Sequence, residues 1–106
     1  MKTSIIVTTE KVAFHQWNDA PEEVGFLRNE HRHKFYIKLG IPVLHLDREI
    51  EFFTVQRALN ELLRLKVVVG SCEMLATEIK EWADNKYQRK SWVEVWEDNE
   101  NGARVE

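Results

Sequence analysis

Apolar and polar residues alternate near the amino end: Ile5 and Val7 alternate with Ile6, and Val12 and Phe14 keep the same two-residue period. That pattern predicts a strand over Lys2 to Trp17. Asn18 to Asn29 carries Asn-Asp, Pro-Glu-Glu and a glycine, and reads as a loop of the length that often serves function. His31 to His45, rich in Phe, Tyr, Ile, Val and Leu, predicts a second strand. Pro42 within it implies an edge position, a bulge or a bend, because proline has no N–H for the ladder. Leu46 to Glu49 reads as a turn into a short third strand over Ile50 to Phe53. Thr54 then caps a helix running to about Lys66, with Val55, Ala58, Leu59 and Leu62 at helical spacing.

Val67-Val68-Val69-Gly70 breaks that stripe. Ser71 is a good cap for a second helix, Glu73 suits the positive end of its dipole, and Leu75, Ile79, Trp82 and Ala83 form its apolar face. The last strand, Ser91 to Glu97, sets Val93 and Val95 on one face and Trp92, Glu94 and Trp96 on the other. Asn99 to Gly102 reads as a turn, with a tail that adds a few strand residues. The expected fold is α+β: an antiparallel four-stranded sheet with two helices on one face. Its open edges offer strands that an oligomer could pair.

With 106 residues and no repeat or linker, residues 1–106 read as a single domain, and a 43% hydrophobic share suits a packed core. Lys and Arg number 15 against 18 Asp and Glu, a net charge of -3. That balance argues against a general nucleic-acid or membrane binder. Cys72 is the one cysteine and cannot form an internal disulfide, so a cytoplasmic location is expected. Ile5, Ile6 and Val7 are too short a run for a signal peptide or a spanning helix.

Four histidines and four tryptophans are unusual in so short a chain. In a strand, His31 and His33 point to the same face with Cα atoms roughly 6.5–7 Å apart, which lets two imidazoles converge on one metal ion. His15, ending the preceding strand, can complete the set. Three histidines with a fourth position open is the arrangement of a catalytic zinc, although His-X-His pairs also occur by chance on surfaces. His45 has no partner at ligand spacing and reads as structural or exposed.

Four segments together resemble a known family: Phe14-His15; His31-Arg32-His33-Lys34-Phe35; Ser71-Cys72-Glu73-Met74-Leu75-Ala76; and Val93-Glu94-Val95-Trp96-Glu97. They are similar, in order and across residues 12–97, to the 6-pyruvoyl-tetrahydropterin synthase and 6-carboxy-tetrahydropterin synthase family. Its members have a histidine after a first strand, His-Gly-His before an aromatic, a Thr/Ser-X-Glu-Asn-Leu-Ala helix start and a glutamate closing the last strand. The resemblance implies the tunnelling fold, assembled as a homo-oligomeric barrel with sites between subunits. It implies Zn2+ held by His15, His31 and His33, and a pterin or purine-like ligand anchored by Glu97, with Ser71, Cys72 and Glu73 lining the pocket. The implied activity is a zinc-dependent lyase acting on a dihydroneopterin triphosphate type of substrate, of the kind that serves queuosine and deazapurine biosynthesis.

The chain also departs from that pattern. No cysteine precedes His31, and no Asp-His pair lies between the helices, where family members keep their proton-transfer groups. Arg32 replaces the central glycine of His-Gly-His, and none of Glu22, Glu23 or Glu30 falls where a relative uses glutamate instead of cysteine. Cys72 is a candidate for a relocated base, since a thiol at a helix start can have a lowered pKa; the alternative is a small residue filling space at the helix start. These departures leave open a non-catalytic tunnelling-fold protein that binds a pterin or purine, or a structural oligomer with incidental histidines. Trp92 and Trp96 suggest an interface or a stacking surface. Arg28, Arg32, Lys34 and Lys38 form the one basic cluster that could meet a triphosphate.

Overall fold

A computed structural model describes residues 1–68 and 70–106. The chain runs β1 (Thr3–His15), a 3-10 segment (Glu22–Arg28), β2 (His31–Val43), α1 (Phe52–Arg64), α2 (Cys72–Tyr87), β3 (Trp92–Glu97) and β4 (Asn101–Val105). The strands form one antiparallel sheet in the order β1-β2-β3-β4. The fold is α+β, with both helices on one face of an open four-stranded sheet. Among the described residues no helix is long and apolar enough to cross a membrane.

Strand parity sorts the side chains. Phe35, Ile37, Leu39 and Ile41 of β2 face the helices and are fully buried, beside Val7 of β1 and Val93 and Val95 of β3. Val55, Leu59 and Leu63 of α1 and Leu75, Ala76, Ile79 and Ala83 of α2 complete this core. Trp82 packs at its margin, edge-on to Tyr87 at 6.1 Å. The opposite sheet face carries Lys34, Tyr36 and Lys38 with Trp92, Glu94 and Trp96. Gly40 and Gly102 are required there: a Cβ on Gly40 would stand 2.0 Å from the Trp92 ring, and one on Gly102 would stand 2.7 Å from Trp96. Each indole lies over a strand glycine, a packing that compensates for the missing side chain.

Two expectations are corrected. Residues 50–53 are not a strand; Phe52 and Phe53 begin α1 and are half-exposed or more. The cap is Glu51 rather than Thr54, its carboxylate accepting from the backbone N–H groups of Phe53 (3.0 Å) and Thr54 (2.8 Å). Glu49 folds the preceding loop by accepting from the N–H groups of Leu44 and His45, and it pairs with Arg89. Those contacts turn the chain away from the sheet, so residues 50–53 find no partner strand. The fourth strand is instead the tail, β4. It follows a turn in which Asp98 (φ 50°) and Asn99 (φ 58°) are both left-handed and the Glu100 N–H donates to the Glu97 carbonyl at 2.9 Å. Pro42 sits in β2 beyond the reach of β3, where only β1 runs alongside. Val69, part of the expected break between the helices, lies outside the described residues.

Ser71 caps α2 as expected, its hydroxyl accepting from the Met74 N–H at 3.2 Å. The other end of α2 is tied to β3 by Asp84. Its carboxylate accepts from the Ser91 N–H (2.7 Å), the Ser91 hydroxyl (2.6 Å) and Lys80 (2.7 Å). Burial acts to raise the Asp84 pKa, but the bonds from Lys80 and Ser91 outweigh it and hold the carboxyl below its usual range. A folded-state value below the unfolded one means the stabilisation is complete above about pH 4 and is lost as the pH falls through the folded value. Asp84→Ala is expected to cost about 2 kcal/mol at pH 7 in urea denaturation, with the gap to the parent closing in acid.

Candidate metal centre and adjoining cleft

His15 and His31 are direct partners across β1 and β2, and His33 is the next residue of β2 on the same face. Antiparallel register therefore brings three imidazoles to the end of the sheet, on its helix side. Their ring centroids lie 4.5–5.0 Å apart, and Phe35, fully buried one step further along β2, packs edge-on beneath His15 and His33. Glu97 closes β3 opposite Phe35, so its carboxylate shares that face.

The hydrogen bonds assign the ring nitrogens. His15 Nδ1 lies 3.4 Å from the Gly70 carbonyl oxygen, His31 Nδ1 2.7 Å from that of Asn29, and His33 Nδ1 2.5 Å from an Asp98 carboxylate oxygen. Each partner can only accept, so each neutral ring carries its proton on Nδ1 and keeps a lone pair on Nε2. All three Nε2 atoms are buried, with no hydrogen-bond partner among the described residues. One ligating nitrogen from each ring lies within 4.8 Å of the others. Glu97 stands beside them, 3.7 Å from the Nε2 atoms of both His15 and His33.

Three converging lone pairs with anchored Nδ1 atoms suit a divalent ion that takes nitrogen ligands, zinc foremost. Burial lowers the His15 pKa below 6.5, and its two histidine neighbours add to that effect. The Gly70 carbonyl and the Glu97 charge oppose it only in part. A neutral ring is the state that binds metal.

A cleft of about 680 Å3 opens beside His15 and contains Ser71, Cys72, Glu73 and Glu97. All the expected site residues thus gather at one end of the sheet. Trp17, Leu27 and Met74 give the cleft apolar walls, and Asn101 and Gly102 of β4 border it. The loop is shaped for this: the Trp17 N–H donates to the Leu27 carbonyl at 2.7 Å, and Arg28 donates to the Ala20 carbonyl at 2.7 Å.

Several readings change. Cys72 is buried at the start of α2, and desolvation, reinforced by the charge of Glu97 and a hydrogen bond to it, pushes the thiol up to about 12. Burial outweighs the helix terminus, and a thiol that stays protonated at neutral pH is not a ready base. The Ser71 hydroxyl already caps α2. Arg32 does not crowd the histidines, because its strand position sends it to the opposite face. The same parity divides the basic cluster: Lys34 and Lys38 lie on the open face with Arg32, where Lys34 pairs with Glu10 at 3.0 Å, while Arg28 is bound in the loop. Within one chain these cations do not line the cleft. His45 lies in the exposed loop after β2, where its Nδ1 accepts from the Asp47 N–H at 3.4 Å.

Asp98 and the carbonyls of Asn29 and Gly70 were not foreseen as parts of the site. The only sequence cue was a carboxylate adjacent to Glu97 in a polar turn. No protein-family model matches the chain, and no curated protein sequence matches it.

Proposed function

We propose that this chain is a zinc-binding protein of the tetrahydropterin-synthase type, whose cleft takes a dihydroneopterin triphosphate kind of substrate. The observation that carries the reading is the convergence of three buried, unpartnered Nε2 atoms at the edge of a cleft that also holds Glu97. Zinc, when bound, supplies a Lewis acid for a substrate oxygen. His15, His31 and His33 hold the ion. Glu97 is suited to accept two parallel hydrogen bonds from an amino group and a ring N–H of the pterin, as a carboxylate does from guanidinium. Trp17, Leu27 and Met74 offer apolar surface for the flat ring.

Assembly as a tunnelling-fold barrel belongs to the same proposal. It is supported by β1 and β4, neither of which has a neighbour on its outer edge among the described residues. In such a barrel a neighbouring subunit would complete the cleft. A cytoplasmic setting is also part of the proposal and rests on the single unpaired cysteine.

A second reading has its own support. Cys72 is held protonated, and the proton-transfer residues usual in the family are absent from this sequence. Those facts favour a protein that keeps the metal and the pocket to bind a pterin or purine without turnover. Incubating the zinc-loaded protein with dihydroneopterin triphosphate separates the two: a new tetrahydropterin product supports the enzyme, and binding without product supports the binder. No binding at all sinks both. In either case Glu97→Gln, which loses a charged acceptor, is expected to weaken pterin binding about 10- to 100-fold in a fluorescence titration of the zinc-loaded protein, with zinc content measured on the same samples.

A further inference from the structure

Asp98 carries an inference that rests on the zinc reading and extends it. Two of the three Nδ1 partners are main-chain carbonyls, which any residue would supply. The third is the Asp98 side chain, 2.5 Å from His33 Nδ1. Asp98 is held in place from β2: its other carboxylate oxygen accepts from the Lys34 N–H at 2.9 Å, and its own N–H donates to the Lys34 carbonyl at 2.8 Å. The left-handed backbone at Asp98 and Asn99 turns the chain so that this carboxylate meets the ring. The turn is closed by the Glu100 N–H on the Glu97 carbonyl and tied to β2 by the two bonds to Lys34. The oxygen directed at His33 has no part in it.

We propose that Asp98 is the positioning residue of the metal centre. Its carboxylate holds His33 as the Nδ1–H tautomer, aims Nε2 at the point where the three histidines converge, and makes the ring a stronger donor to a divalent ion. Glu97 and Asp98 flank His33, one near each ring nitrogen, so two adjacent carboxylates act on the centre in different ways.

Asp98→Asn tests this, because the side-chain amide oxygen can still accept from the Lys34 N–H while the charge is removed. Titration with zinc chloride is expected to show affinity 10- to 100-fold below the parent at unchanged stoichiometry. The unfolding midpoint of the metal-free variant should fall only slightly, since the amide oxygen keeps the bond from the Lys34 N–H. Nitrogen-15 NMR of the metal-free proteins should show His33 as the Nδ1–H tautomer in the parent and as a mixture in the variant, with His31 unaffected. Equal zinc affinity in the two proteins would overturn the role of Asp98 while leaving the metal centre standing. Weaker binding accompanied by lost stability and an unchanged His33 tautomer would also overturn it, since that marks a purely structural residue. A parent that binds no zinc would overturn the metal reading itself.

Discussion

Replacing His31 and His33 together with alanine is expected to take zinc content from about one ion per chain to none that survives gel filtration. The expectation follows from the donor set. The double variant keeps only His15 of three converging nitrogens, with the Glu97 carboxylate beside it, and so small a set competes poorly with water for zinc. The fold should persist, because these rings sit at one end of the sheet while the core of Phe35, Ile37, Leu39 and Ile41 lies further along β2. Circular dichroism of the variant checks that point. Metal analysis on protein made without a histidine tag reads the stoichiometry. A double variant holding as much zinc as the parent would place the ion elsewhere.

Zinc is also expected to raise the melting temperature of the parent strongly. An ion that binds the folded chain and not the unfolded one stabilises it by about 4 kcal/mol when free zinc is on the order of a thousand times the dissociation constant. In a domain of this size that corresponds to roughly 15 °C or more, with residual binding to the unfolded chain reducing the figure. The metal-free protein is the weaker form for a specific reason: folding buries three Nε2 atoms with no partner, a cost that the ion removes. Scanning calorimetry with zinc and with a chelator measures the difference. The His31→Ala, His33→Ala variant should show almost no zinc-dependent shift.

Much of this architecture was legible in the residue pattern, and the failures have physical causes. Alternation located β2 closely because one of its faces is buried against the helices. It located β1 too, but only Val7 of that strand is buried, and Val12 and Phe14, read as continuing the period, lie with Ile6 on the exposed face. The pair Phe52-Phe53 suggested a strand through its side-chain preference. The carboxylate of Glu51 capping the next two N–H groups made it a helix start instead. Asn101-Gly102 suggested a turn, yet Gly102 belongs to β4 because the Trp96 ring needs the space a side chain would fill.

The site divides in the same manner. The convergence of His31 and His33 follows from strand parity, and His15 joins them through the β1–β2 register. Parity also separates Arg32, Lys34 and Lys38 from the histidines, a consequence that grouping them only by sequence proximity concealed. What could not be read depends on backbone geometry: the Asn29 and Gly70 carbonyls exist in any sequence, and the aim of Asp98 depends on two left-handed residues in a turn. The behaviour of Cys72 also depended on packing, since its position at a helix start and its burial act in opposite directions, and burial prevails.

X-ray absorption at the zinc edge, on protein loaded with one equivalent, tests the metal centre most directly. The predicted spectrum has three imidazole nitrogens at about 2.0 Å and a remaining light-atom ligand. A sulfur shell near 2.3 Å, or a spectrum with fewer than two imidazoles, would contradict a centre built from His15, His31 and His33.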